Sequence, residues 1–291
     1  MKRLLALTLM LGALALVPGC GGGGGNPIVL ANRILFSSNL AGITFNVYLM
    51  NTSGTGLVRL TAFGGSSPAV NFDDSKIVFS SVRDGGSAIF IMNGDGSSET
   101  RLTDPLNLDY SPSFSPDGTQ IVFVSRRDGN FEIYIMDVDG GNQINLTNNV
   151  AKDDHPEFKP DGTLIVFDSD RDGDAEIFTM NAVGGSLTNL TNNLVADSGP
   201  SYNAAGTSIA FGSDRTGTFD VHLMDADGAN VFRVTVNAGT DRFPSFSPDG
   251  TKIAFESDRN GGSSIFTINV DGTNVTTLTS AISSENEPYY N

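Results

Sequence analysis

Apolar residues along this chain come in short bursts bounded by glycine, proline, aspartate and asparagine. Ile121-Val122-Phe123-Val124, Leu164-Ile165-Val166-Phe167 and Lys252-Ile253-Ala254-Phe255 each follow a Pro-Asp-Gly, at Pro116-Asp117-Gly118, Pro160-Asp161-Gly162 and Pro248-Asp249-Gly250. Proline presets one backbone dihedral and glycine accepts positive φ, so the tripeptide predicts a tight turn ahead of a strand. A second turn, such as Arg127-Asp128-Gly129-Asn130 or Arg171-Asp172-Gly173-Asp174, leads to the alternating runs Ile133-Tyr134-Ile135-Met136 and Ile177-Phe178-Thr179-Met180. A third turn carries Asp139-Gly140, Asp227-Gly228 or Asp271-Gly272, the dipeptide of tight hairpins. A last short strand ends in Leu-Thr or a near copy, at Leu60-Thr61, Leu102-Thr103, Leu146-Thr147, Leu190-Thr191, Val234-Thr235 and Leu278-Thr279. Nowhere in these segments does a helical period replace the alternation.

The pattern repeats. Prolines 68, 112, 156, 200, 244 and 288 are each 44 residues apart, and Phe79, Phe123, Phe167, Phe211 and Phe255 keep the same step, with Phe36 one residue off it. Four short strands per unit and a period in the low forties predict a propeller blade. The first unit, near Asn32 to Thr61, lacks an opening strand, while the chain closes on Pro288-Tyr289-Tyr290-Asn291, an opening strand with nothing after it. The fold expected over residues 28–291 is therefore an all-β six-bladed β-propeller of four-stranded antiparallel blades, closed by the C-terminal strand joining the first blade. Such closure removes sheet edges that invite aggregation.

Charge and composition narrow the function. The 291 residues include 33 acidic and 17 basic side chains, a net charge of −16, with one cysteine and no tryptophan. That balance repels phosphate backbones and excludes nucleic acid as a partner, and one cysteine excludes a disulfide framework. Lys2-Arg3, the apolar run Leu4 to Val17, and Pro18-Gly19-Cys20 followed by Gly21 to Gly25 read as a secretory leader over residues 1–19 and a tether over 20–27. Leu16 to Cys20 resembles the lipobox of bacterial lipoproteins, which implies a lipidated Cys20 on a glycine leash. An ordinary cleaved signal and an uncleaved anchor stay open. Gly21 lacks the aspartate that retains lipoproteins in an inner membrane, so the expected location is the periplasm, outer membrane or cell surface.

Candidate chemistry is sparse. No Gly-x-Ser-x-Gly elbow occurs. His222 takes the place of the aromatics Phe90, Tyr134, Phe178 and Phe266 and reads as packing; His155 precedes Pro156 near a channel mouth, and one histidine makes neither a zinc site nor a triad. Asp170, Asp172 and Asp174 alternate like a calcium loop, but Ala175 and Asn181 stand where its Gly and Glu belong. Asn145 and Asn189 head Asn-Leu-Thr triplets that recur with the repeat. The remaining pattern is a pair of rings. Three residues before each proline stand Asp109, Asp153, Asp197, Asp241 and Glu285, with Gly65 the exception; four residues after each core phenylalanine stand Arg83, Arg127, Arg171, Arg215 and Arg259, with Leu40 the exception. The loops that carry them open on one face of a blade. Two readings follow: a carboxylate-lined mouth that binds a metal ion or a cationic partner, or a structural wheel of ion pairs. The wheel is preferred, with each arginine pairing the acid on the next inter-blade loop, because the exceptions Leu40 and Gly65 would then face one another. No metal, cofactor or catalytic residue is assigned.

Ser115-Pro116-Asp117-Gly118-Thr119, Ile121-Val122-Phe123 and Ser125-Arg126-Arg127-Asp128-Gly129 resemble the WD40-like β-propeller repeat of the TolB family, PD40, over nearly everything after the leash. The resemblance implies a stand-alone TolB-type propeller carried as a lipoprotein, without the N-terminal α/β domain of TolB. It implies a monomeric, non-enzymatic scaffold at the bacterial envelope that binds a protein or peptide, a Pal-like lipoprotein being the natural candidate. The alternatives are a metal-dependent polysaccharide lyase and a structural surface lipoprotein with no single partner.

Overall fold

The computed structural model describes Leu30, residues 32–280 and residues 283–291. The leader, Cys20 and the glycine tether lie outside the described residues. Six four-stranded antiparallel sheets form. Blade 4 is representative: Asp153–Phe158 on the inside, then Leu164–Ser169, Glu176–Asn181 and the two-residue outer strand Thr188–Asn189. Numbered by their second strands, blade 1 carries Arg33–Ser38, blade 2 Lys76–Ser81, blade 3 Gln120–Ser125, blade 5 Ser208–Ser213 and blade 6 Lys252–Ser257. Blade 1 takes its inner strand from the C-terminus, where Glu285–Tyr290 pairs with Arg33–Ser38, Ile34 opposite Tyr290 and Ser38 opposite Glu285. Arg33 and Asn291 exchange both backbone hydrogen bonds, at 2.9 and 2.8 Å. The closure expected from the phase of the repeats is present.

The repeated motifs have local physical reasons. In Ser115-Pro116-Asp117-Gly118-Thr119 the Asp117 carboxylate accepts from the Ser115 hydroxyl at 2.6 Å and the Thr119 amide at 3.0 Å, while Gly118 holds φ +69°. The side chain thus closes the turn that starts the second strand. In Leu-Thr the threonine hydroxyl extends a very short outer strand: Thr61, Thr103, Thr147, Thr191, Thr235 and Thr279 each accept the amide of a third-strand residue at 2.9 to 3.0 Å. The residue before that threonine meets the third turn of the next blade. A Cβ on Gly184 would lie 2.6 Å from the Leu146 carbonyl oxygen, and one on Gly228 2.7 Å from that of Leu190, so the third-turn glycines serve blade docking as well as chain reversal.

The core lies between blades. Each of six apolar clusters joins two neighbours, as where Val122, Ile133 and Ile135 of blade 3 pack with Phe158, Ile165, Phe167 and Phe178 of blade 4. The phased phenylalanines are buried, and each stacks on an aromatic residue of the third strand with centroids 5.7 to 5.9 Å apart, from Phe36 on Tyr48 to Phe255 on Phe266. In blade 5 that partner is His222, buried against Phe211, its Nδ1 3.1 Å from the Asp220 carbonyl oxygen. Burial depresses its pKa; the Asp220 carbonyl opposes this and Arg215 adds to it.

Candidate functional site

The arginine and acid rings lie on the face where inner strands begin and second strands end. Their pairing corrects the expectation drawn from sequence. Arg127 reaches Asp109 at 3.2 Å, Arg171 reaches Asp153 at 2.8 Å, Arg215 reaches Asp197 at 3.0 Å and Arg259 reaches Asp241 at 2.8 Å. Each pair joins the two innermost strands of one blade and none crosses to the next. The antiparallel register explains this: Asp153 lies opposite Ser169, and the Arg171 guanidinium folds back over that junction, its Nε donating to Ser169 Oγ at 2.9 Å. The guanidinium also covers the aromatic pair beneath, Arg127 lying 4.3 Å from the Tyr134 centroid and Arg259 4.7 Å from that of Phe266.

Where a partner is missing the chain supplies another. Arg83 meets Gly65 in place of an acid, so it donates to the Gly64 carbonyl at 2.7 Å and pairs with Glu99. Glu285 meets Leu40 in place of an arginine and accepts from Thr279 at 2.7 Å and from Ser283; burial pushes its carboxyl pKa up against these hydrogen bonds. Asp109, Asp153, Asp197 and Asp241 have no exposed side-chain surface, and it is the arginines that reach solvent. Burial raises the Asp109 pKa, with Ser125, Thr103 and Arg127 opposing it. The link between blades runs through asparagine. Asn193 donates its side-chain amide to Asp197 of blade 5 at 2.6 Å and accepts from the Val195 amide at 3.0 Å, while its backbone amide donates to Glu176 of blade 4 at 2.5 Å.

Of the axial channel the sequence points only to His155, beside Pro156, and the structure supplies the rest of the lining. Each inner strand has a break in register beside its proline, such as that between Asp154 and Glu157. The residue before the proline turns left-handed: Ser67, Ser111, His155, Phe243 and Glu287 have φ from +47 to +51°, and Gly199 has +62°. These six residues line the throat, a cavity of about 120 Å³, together with the six prolines. One position further along, Ser113, Glu157, Ser201, Ser245 and Tyr289 lead into a funnel of about 540 Å³ on the opposite face, rimmed by Phe72, Pro116, Pro160, Pro248 and Tyr290. The available signal was contrast. Flanking an unvarying proline, these positions change from blade to blade while the scaffold residues repeat.

The lining is electrostatically uneven. His155 Nδ1 lies 2.7 Å from Asp168 and 3.7 Å from Asp154. Asp154 also accepts from the Tyr110 hydroxyl at 2.9 Å and pairs with Lys152 at 2.7 Å. Burial works against a charged imidazole, but Asp154, Asp168 and Glu287 outweigh it and lift the His155 pKa to about 9. Across the throat Glu287 accepts from the Ser67 amide at 2.9 Å and hydroxyl at 2.8 Å. Deeper in, burial pushes Glu157 up to about 7, opposed by hydrogen bonds from the Tyr202 amide and Ser201. Among the described residues the buried Tyr202 hydroxyl has no hydrogen-bond partner, nor does Oε2 of Glu256, whose pKa burial lifts to about 7 against a Ser263 hydrogen bond and with the Glu287 charge adding to the rise. Among the described residues no three His, Cys, Asp or Glu side chains converge as a metal-binding group. The channel instead offers hydrogen-bonding and apolar contacts of mixed sign, suited to a polar, irregular segment.

Comparison with known proteins agrees with this architecture. The TolB beta propeller domain family, PD40, matches residues 107–196 and 193–291. A Tol-Pal system protein TolB of Geobacter sulfurreducens is 42% identical over 59 residues, covering 20% of this chain and 14% of that protein. The crystal structure of TolB from Acinetobacter baumannii superposes with a TM-score of 0.80 at 25% identity, covering 89% of this chain and 66% of that one. An oligogalacturonate lyase of Vibrio parahaemolyticus, 15% identical and with a TM-score of 0.59 over 84% of this chain and 74% of that one, shares the fold alone.

Proposed function

The chain belongs to the TolB beta propeller domain family, and on that premise we propose that it is a non-catalytic recognition scaffold of the bacterial envelope that binds a protein or peptide through its axial channel. The observation that carries the reading is the contrast between frame and lining. Phenylalanines, arginines, threonines and turn glycines recur blade after blade, whereas the six throat positions hold Ser67, Ser111, His155, Gly199, Phe243 and Glu287. A lining required only for packing would repeat with the frame. An irregular one presents a single, directional pattern of donors, acceptors and apolar surface, as recognition of an asymmetric chain segment requires. The Tol-Pal setting of the relative from Geobacter sulfurreducens makes a Pal-like lipoprotein a candidate partner, and the Cys20 lipobox with Gly21 to Gly25 supports tethering of the monomeric propeller to a membrane.

The test is a photo-crosslinking amino acid placed in intact envelopes at Ser113 or Ser245 in the channel, with Thr276 on an outer strand as control. Channel positions are expected to capture a discrete envelope protein that the outer position does not. Equal labelling from both positions, or none from the channel, would refute the reading. Metabolic labelling with an alkyne fatty acid, lost in Cys20→Ser, tests the anchor separately.

A further inference from the structure

Acids in and around the throat face cations, with one exception. Asp154 meets Lys152 at 2.7 Å and Asp168 meets His155 at 2.7 Å. Glu256 stands opposite Arg242 in the strand register, and the Glu287 charge acts on His155. Glu157 has no basic partner among the described residues. It is the one charged side chain in the ring that follows the prolines by one position, where the other blades place Ala69, Ser113, Ser201, Ser245 and Tyr289, and this ring borders both the throat and the funnel. One of its carboxylate oxygens accepts from the Tyr202 amide at 2.8 Å. Beyond the ring, the funnel of about 540 Å³ has only Asp74 and Glu157 as charged lining side chains among the described residues, and its walls include Phe114, Phe158, Tyr202 and Phe246. Asp74 accepts from the Asn291 side chain at 2.8 Å. At the outer rim Asp73, Asp117 and Asp249 are exposed, and hydrogen bonds from Ser75, Ser115 and Ser247 hold their carboxyls below the usual range, whereas Asp161 is paired with Lys159 at 2.8 Å.

Resting on the reading that the channel holds a segment of a partner, we propose that the funnel is a receptor for one basic side chain of that segment, a lysine or arginine whose cation pairs with Glu157 at the neck. A carboxylate taken out of water is costly without a counter-charge, and at this position the chain supplies none while supplying one for each neighbouring acid. Aromatic walls attract a cation as well as its aliphatic stem, and the ionised aspartates outside the rim favour its approach. A bare divalent ion fits less well, because no three His, Cys, Asp or Glu side chains converge among the described residues. An acidic segment would be repelled, and a neutral one would leave the carboxylate unpaired.

The probes are peptides of serine, asparagine and glycine with one central lysine, arginine, norleucine or glutamate, acetylated and amidated so that the central residue carries the only charge, titrated onto the full chain by isothermal calorimetry. The lysine and arginine peptides are expected to bind and the norleucine and glutamate peptides to bind at least tenfold more weakly. Glu157→Gln keeps the shape of the side chain and should lose at least tenfold for lysine. Asp172→Asn removes one charge from the second turn of the same blade, where Asp172 accepts from Asn189 at 2.9 Å, and should change affinity less than twofold. Glu157 has a pKa of about 7, so lysine binding at pH 7 should release about half a proton, read from the dependence of the heat on the buffer, and affinity should rise about tenfold from pH 6 to 8. Over that range the Tyr202 and Tyr289 hydroxyls beside Glu157 stay neutral, because burial raises both, Asp161 stays ionised, and His155, two residues back and facing the throat, stays charged. Glu157→Gln should abolish both the proton release and the pH dependence. No binding of the lysine peptide, equal affinity for norleucine, equal losses in Asp172→Asn, or calcium chloride binding at Glu157 that excludes the lysine peptide would each overturn the proposal. Crosslinking from Ser113 and Ser245 captures an occupant whatever its charge, so capture there with equal lysine and norleucine affinities removes the cation and leaves the channel reading standing.

Discussion

Breaking one ion pair of the ring distinguishes pairing within a blade from pairing between blades. Arg171 donates to Asp153 at 2.8 Å and to Ser169 at 2.9 Å, and its guanidinium lies 5.0 Å from the Phe178 centroid. Asp153 has no exposed side-chain surface, so Arg171→Ala leaves a buried carboxylate held by the Asn149 side-chain amide at 2.6 Å. An uncompensated buried charge costs about 3–5 kcal/mol. Arg171 is itself 19% exposed, and water entering its place puts the expected loss near the lower end, about 3 kcal/mol, or a fall in Tm of roughly 6 °C. Asp153→Ala leaves instead a partly solvated guanidinium and should cost less, about 1–2 kcal/mol. The double variant should lose less than the two singles together, by about 1.5–3 kcal/mol, the worth of a hydrogen bond to a charged group. Arg127 and Asp153 belong to different blades and share no bond, so their losses should add to within about 0.5 kcal/mol. The chain has no tryptophan, and urea unfolding followed by far-ultraviolet circular dichroism serves as the assay. Coupling of Asp153 to Arg127 with none to Arg171 would refute the within-blade geometry.

Four further outcomes are expected. Deleting residues 285–291 uncovers the edge of Arg33–Ser38, so the product should melt earlier and associate in ultracentrifugation; an equally stable monomer would contradict closure. Glu157 has a folded pKa of about 7 against an ordinary 4.5, so its contribution is fully present below about pH 4.5 and lost as pH rises to about 7. Glu157→Gln should therefore lose less Tm than the native protein between pH 5 and 8. His155 has a folded pKa of about 9 against 6.5, so its stabilisation is complete below about pH 6.5 and lost through pH 9; the Tm deficit of His155→Ala should shrink between pH 6 and 10. Gly184→Ala places a Cβ against the Leu146 carbonyl at φ +88°, whereas Gly173→Ala, at φ +118°, meets open space, so thermal melts should show clearly the greater loss for Gly184→Ala.

The fold was legible because its signals are local and repeated. Pro-Asp-Gly, Asp-Gly and Leu-Thr each encode a turn or a strand end whose bonds close within about 15 residues, and the phase of Pro288 against Pro68 encodes the latch. The ion-pair ring was legible in composition but not in connectivity. Spacing shows that Arg127 and Asp109 share a face, whereas the choice between Asp109 and Asp153 depends on the way a guanidinium folds over its own hairpin. The exceptions misled for the same reason. Pairing across blades makes Leu40 and Gly65 partners, whereas each is a vacancy repaired nearby, by Thr279 and Ser283 for Glu285 and by Glu99 for Arg83. Of the channel only His155 is legible, from its place beside Pro156, because the throat positions change from blade to blade and a motif search registers likeness.

That unlikeness has an energetic argument behind it. The break in each inner strand requires a left-handed residue before the proline, the conformation glycine adopts most cheaply. Only Gly199 meets the requirement with glycine; Ser67, Ser111, His155, Phe243 and Glu287 hold φ near +50° with side chains in place. At about 1–2 kcal/mol each, the strain is comparable with the net stability of an ordinary domain, roughly 5–15 kcal/mol. A ring selected for stability alone would move toward glycine at all six positions. Gly199 shows what its absence of a side chain allows. Phe243 comes within 3.2 Å of where a Cβ would stand there and reaches the His155 ring at 5.3 Å between centroids. The glycine makes room for its two neighbours to meet across it, so the lining is packed as one asymmetric set. Strain retained at five adjacent positions, all facing the same throat, is the pattern expected when side chains are kept for what they touch in the channel.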